Sequence, residues 1–226
     1  DAVGRQGTTQ EPCFAIDKTA PGVTPGDLPV KWVDANNYTV AVDAIAADPT
    51  TWPHAFVGED IDGVHQGAMI PFLETKTLRN GNHRLAFAPD GALHVGKTHH
   101  SWAGNNGIVR IPAPKSLPPL IESVHLTAKG FEVRFTTPVN FDDYAGAAVR
   151  RFRYKYHSTY GSPKVDEAKL EVRAHVASKD RRSVILELAE PIQEGFIHEL
   201  RFPGLKSADG RDLLGPIAYY QVVKAK

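Results

Sequence analysis

A chain of 226 residues with 26 Lys and Arg, 26 Asp and Glu and a pI near 7.3 has no basic excess to set against a phosphate backbone, which argues against nucleic acid as a partner. Hydrophobic residues at 42% and charged residues at 23% suit a packed core, and no apolar run reaches the ~18 residues of a membrane helix. The single cysteine, Cys13, excludes an internal disulfide and a four-cysteine zinc site.

Residues 1–28 are rich in Gly, Pro, Thr and Asp, and loops are expected there. The chain starts at Asp1 and holds one methionine, Met69, so it reads as a processed chain or a fragment. A secreted or periplasmic location is expected. Residues 38–42 alternate as a strand, and residues 43–48 suit a helical turn. In Glu59-Asp60-Ile61-Asp62-Gly63 the alternating carboxylates resemble the start of a calcium loop. Asp60 and Asp62 are therefore candidate Ca2+ ligands, although the later ligands of an EF-hand are missing. Strands follow at 67–72, 83–87, 93–96 and 107–111. The turn between the second and third is Pro89-Asp90-Gly91, where proline fixes φ and glycine accepts the reversal.

Pro112, Pro114, Pro118 and Pro119 then interrupt any ladder and favour an extended linker. Nine basic and twelve acidic residues precede position 116, against 17 and 14 after it, so the two parts carry opposite net charge. Two domains are expected, 1–115 and 116–226. In the second, short alternating runs recur at 121–127, 131–135, 152–156, 170–176, 184–188, 197–202 and 218–223. Seven strands in about 110 residues match the size of an immunoglobulin-like β-sandwich. The expected class is all-β: propeller-like blades, then the sandwich.

Specific segments carry a resemblance. Gly81-Asn82-His83-Arg84-Leu85-Ala86-Phe87-Ala88-Pro89-Asp90-Gly91-Ala92-Leu93-His94-Val95-Gly96 resembles a strand–turn–strand of soluble quinoprotein sugar and sorbosone dehydrogenase-like β-propellers of secreted bacterial proteins. Gly63-Val64-His65-Gln66-Gly67-Ala68 resembles the segment before their closing blade, and residues 130–139 and 160–166 resemble the sandwich appended to them. The resemblance spans about residues 58–223. It implies blade elements and a sandwich. It carries over no catalytic base, because a propeller needs four to eight blades of ~40 residues and the stretch before the prolines holds two or three. A quinone cofactor is implied only where the propeller is completed.

Ten histidines invite a copper or zinc reading, since neutral imidazole is a ready ligand. His83 and His94 flank the hairpin turn and are candidate cross-strand neighbours, with His65, His99 and His100 as further candidates. Adjacent residues on a strand point to opposite faces, so only one of His99 and His100 can join such a site. The bland alternative is a set of surface histidines in ordinary hydrogen bonds. Trp52, Trp102 and Tyr160, with Asn105 in a Gly-Asn-Asn-Gly loop, are candidate ligand-binding residues, because loop aromatics stack on sugar rings. The bland alternative, and the commoner one for any single aromatic, is that it plugs a sheet edge or the domain interface.

Nothing matches a nucleophile elbow, a phosphate loop or a dinucleotide fingerprint. The expectation is a non-catalytic or incomplete chain that binds carbohydrate or a partner protein. The alternative is a quinone- or metal-dependent sugar oxidoreductase whose site is completed elsewhere.

Overall fold

The computed structural model describes residues 30–32, 37–42, 54–71, 82–97, 107–155 and 162–226. They form β1 (Val30–Trp32), β2 (Asn37–Val42), β3 (His54–Ile61), β4 (Val64–Pro71), β5 (Asn82–Phe87), β6 (Leu93–Lys97), β7 (Gly107–Ile111) and β8 (Ile121–Thr127). The remaining strands are β9 (Gly130–Phe135), β10 (Ala148–Tyr154), β11 (Lys164–Leu170), β12 (Val172–Val176), β13 (Ser183–Leu188), β14 (Phe196–Arg201) and β15 (Ile217–Val222). No helix occurs among the described residues, and every strand pairing is antiparallel. The protein is all-β.

Three sheets result, in the orders β1-β2-β3-β4-β15-β14-β10-β11, β12-β13-β9-β8 and β5-β6-β7. The first two face each other across one core. Val124, Leu126, Phe131, Val133, Phe135, Val184 and Leu186 come from the four-stranded sheet. Ala68, Ile70, Val149, Leu200, Ala218, Tyr220 and Val222 meet them from the eight-stranded one. Phe131 sits at the centre, its ring 5.4 Å from Tyr220 and 5.2 Å from His198, while Phe135 meets Phe202 edge-on at 5.5 Å. A fully buried phenylalanine contributes about 1.5–3 kcal/mol in transfer alone, so the alternation read from 131–135 is what glues the layers.

The proline segment does not part the two halves of the chain. β4 is hydrogen-bonded to β15, with Met69 opposite Tyr219, Ala68 opposite Tyr220 and Gly67 opposite Gln221. The hairpin of residues 54–71 thus shares a sheet with strands from beyond the prolines, and β5-β6-β7 is the part that stands apart. That small sheet closes on Leu93 and Val95, with Leu85, Val109 and Ile111 packed on them. Its turn forms as the residues dictate: Gly91 has φ +79°, Gly91 N donates to Ala88 O, and Asp90 Oδ1 accepts from Ala92 N at 3.0 Å.

Two further expectations differ in detail. Residues 170–176 form no single strand: Leu170 ends β11 in one sheet and Val172 begins β12 in the other, so the chain changes layers at Glu171. The acidic run 59–63 is the end of β3 plus a two-residue hairpin loop. Asp62 (φ 49°) and Gly63 (φ +87°) are both left-handed, as a type I′ turn requires. The helical turn expected at 43–48 and the loops of 1–28 lie outside the described residues.

Gly67 faces Gly58 across the hairpin, and a Cβ on Gly67 would fall 2.1 Å from Val57 O and 2.7 Å from Gly58 Cα. Backbone would have to move. Gly67→Ala is expected to lower stability by ~3 kcal/mol or more, read as a fall in the urea midpoint. An unchanged midpoint would contradict the Gly58–Gly67 pairing.

Candidate functional site

Alternation along the β3–β4 hairpin places Glu59 and Gln66, which are register partners, on the side that carries Val57, Ile61, Ala68 and Ile70. A carboxylate there is taken out of water at a cost of several kcal/mol unless donors replace the lost hydration. Glu59 is 5% exposed and receives them from three directions. Its Oε1 accepts from Leu126 N at 2.6 Å and from Tyr220 Oη at 2.5 Å. Its Oε2 accepts from Lys226 Nζ at 3.0 Å, with His125 Nδ1 at 3.9 Å.

Gln66 completes the cluster. Its Nε2 donates to Tyr220 Oη at 3.1 Å and to Lys224 O at 2.9 Å, and its Oε1 accepts from Val223 N and Lys224 N, both at 2.8 Å. All four of the amide's hydrogen-bonding positions are therefore filled. Lys226 Nζ also donates to Leu126 O at 2.6 Å, and Lys224 Nζ lies 3.0 Å from Asp62 Oδ2. Residues 223–226 are thereby pinned between the two sheets.

The electrostatics suit a clamp rather than a proton-transfer site. Burial pushes the Glu59 carboxyl up, but His125, Leu126 N–H, Tyr220 and Lys226 outweigh it and hold it at about 2. Burial, followed by the Glu59 charge, pushes the Tyr220 phenol upward. A carboxylate this weakly basic beside a phenol this weakly acidic is poorly matched to acid–base work near neutrality.

His198, 1% exposed on β14, is another buried titratable group, and its Nδ1 has no hydrogen-bond partner among the described residues. It lies between Arg151 and Tyr220 in register, against the Phe131 ring. Burial and the Arg151 charge lower it to about 4, against a smaller upward effect of the hydrogen bond with the Phe196 backbone.

Of the residues singled out from sequence, Asp60, Asp62, His65 and His94 are described with their side chains. Asp60 Oδ1 accepts from Gly63 N at 2.8 Å, its Oδ2 lies 3.7 Å from His65 Nε2, and Asp62 faces Lys224; these carboxylates brace a hairpin. His94 stands opposite Ala86 and Arg110, and β5 carries an irregularity between Asn82 and Arg84. His83 and His94 are therefore not direct cross-strand partners, three positions of β5 separating His83 from Ala86. Among the described residues no three His, Cys, Asp or Glu side chains converge as a metal group. Trp52, Trp102, Asn105, Tyr160, His99, His100 and Cys13 lie outside the described residues. Glu59, Gln66, Tyr220 and His198 were not singled out as a site; the signal was a polar residue at an inward position of an otherwise apolar alternation. Comparisons with protein-family models, with curated proteins and with solved structures each found no match.

His198 and Glu59 give separate acid limbs. His198 titrates near 6.5 in the unfolded chain and near 4 when folded, so the unfolded state binds the extra proton and stability falls as pH drops through that window. Glu59 is depressed from 4.5 to about 2; its contribution is complete above pH 4.5 and is lost as pH falls toward 2. Each window spans about 3 kcal/mol at 1.36 kcal/mol per pH unit. Denaturant melts across pH 2–8 are expected to show His198→Phe flattening only the upper limb. Glu59→Gln is expected to cost about 2–3 kcal/mol at pH 7 and to flatten only the lower limb. Identical profiles for all three proteins would refute both assignments.

Proposed function

We propose that the chain is a non-catalytic part of a quinoprotein sugar or sorbosone dehydrogenase-like exported protein. Propeller-type strands are joined in it to an immunoglobulin-like sandwich, and it works by binding carbohydrate or a partner chain. One observation carries the non-catalytic half of this reading: Glu59, the most strongly perturbed carboxylate among the described residues, is locked as an anion by structural donors and serves to hold residues 223–226. The sandwich half draws support from the two facing antiparallel sheets and their common core, and the blade half from the β5-β6-β7 meander around Pro89-Asp90-Gly91.

Binding by an exposed strand edge is disfavoured at β11, whose Lys164, Asp166, Glu167 and Lys169 blunt pairing with another chain. A sheet face is the better surface. The purified chain, supplied with a quinone cofactor and Ca2+, is expected to show no sugar-dependent dye reduction. It is expected to bind an oligosaccharide or to assemble with another chain in light scattering. Stoichiometric quinone uptake with sugar oxidation would establish the oxidoreductase instead, and a monomer that binds no glycan would refute the binding role.

A further inference from the structure

The outward face of the eight-stranded sheet holds a second constellation, on the opposite side from the clamp. Strand alternation sets Glu199 of β14 outward between Arg150 of β10 and Tyr219 of β15, its register partners, with Arg201 two residues along. Phe152 of β10 is register partner of Ile197 and lies on this outward face. It is buried without belonging to the core between the sheets, the Tyr154 ring lying edge-on to it at 5.4 Å and Lys164 Nζ lying 4.0 Å from its ring centre.

Glu199 is the informative residue. It is 5% exposed, yet among the described residues only its Oε1 is hydrogen-bonded, by Arg201 Nε at 2.5 Å. Neither phenol of Tyr154 and Tyr219 is hydrogen-bonded there, and Tyr154 is 51% exposed. Tyr219 is the register partner of Glu199 on β15, and Tyr154 lies on the same face four residues along β10 from Arg150, the partner on the other side; burial, followed by the Glu199 charge, raises both phenols. An acceptor oxygen, the free guanidinium nitrogens of Arg201, the Tyr219 phenol and the half-exposed Tyr154 ring thus share one face of the sheet.

We propose that this face, built by Tyr154, Tyr219, Glu199 and Arg201, is a carbohydrate-binding site. The proposal rests on the binding role given above and gives it a location and a ligand class. A carboxylate that accepts beside a guanidinium that donates addresses two neighbouring hydroxyls of one pyranose, and the Tyr154 ring, further along the same face, offers a flat surface to the C–H side of another unit of the oligosaccharide. Charge decides against a cationic ligand of the kind that aromatic cages hold. Arg201 already neutralises Glu199, and Arg150 adds positive charge, so an incoming cation would compete for an occupied anion. A neutral polyol keeps the ion pair and fills the unsatisfied positions.

Isothermal titration of the whole chain with cellohexaose, maltohexaose, xylohexaose and chitohexaose tests this, with choline as the cationic probe. At least one oligosaccharide is expected to bind. Tyr154→Ala and Glu199→Gln are each expected to weaken it about tenfold, the scale of one stacking or one charged hydrogen-bonding contact. Tyr154→Phe, which keeps the ring, is expected to retain most of the affinity. Thermal midpoints within a few degrees of the parent chain would verify folding, since Tyr154 is half exposed. Oligosaccharide binding that both substitutions leave unchanged overturns this site while the carbohydrate reading stands. Absence of binding by all four oligosaccharides overturns the site, and light scattering then decides the partner-chain reading separately. Choline binding that the same substitutions abolish overturns the ligand class.

Discussion

The structure turns on a buried negative charge. A carboxylate moved out of water without compensation costs more than any single side chain returns, so Glu59 can sit inward only where several donors converge. They come from the four-stranded sheet through Leu126 N–H, from the eight-stranded sheet through the Tyr220 hydroxyl, and from the last residues of the chain through Lys226. Each donor belongs to a different stretch of sequence, and only the folded arrangement brings them together. The apolar core sets how strongly the two layers adhere. Glu59 helps set how they are aligned, because hydrogen bonds have direction and hydrophobic contacts do not.

This coupling accounts for a hairpin from before the proline segment lying in a sheet built largely from after it. Gln66 ties β4 to residues 223 and 224 through backbone atoms, and β4 then pairs with β15 along Met69, Ala68 and Gly67. Prolines forbid ladder bonds where they stand, and residues 112–119 are indeed free of strand. They do not forbid the chain from returning to an earlier partner. A proline-rich stretch marks a break in local structure, and sheet membership is decided by contacts distant in sequence.

That distinction separates what could be read from sequence from what could not. Strands with a clean period of two, such as β9 and β13, were legible because one of their faces packs on a core while the other is more open. β11 and β12 ran together because residues 170–176 keep alternating through Glu171, and a change of layer leaves no mark on the period. β3 was obscured by its own chemistry: Glu59-Asp60-Ile61-Asp62-Gly63 has the composition of a solvated turn, and only its last two residues are one. The buried polar groups were hidden for the same reason. Tyr220 reads as one of a pair of packing tyrosines, and nothing local says that its hydroxyl meets a glutamate 161 positions away.

The clamp and the proposed sugar site meet on opposite faces of β15, and His198 and Glu199 divide the two faces of β14 in the same way. Neighbouring residues on a strand point to opposite sides, so Tyr220 and His198 face the core while Tyr219 and Glu199, one position away from each, face outward. In register, His198 stands opposite Tyr220 and Glu199 opposite Tyr219. Fixing the inward pair therefore fixes the outward pair. Tyr220 is held by Glu59 and Gln66, and His198 is packed on Phe131, so the backbone bearing Tyr219 and Glu199 has little freedom left to lose when a ligand binds. Ordering a rotamer-rich side chain at an interface costs about 0.5–1.5 kcal/mol, a cost that a pre-set sheet face largely avoids. The expensive buried carboxylate on one side of the sheet thus acts as the support for the proposed recognition surface on the other.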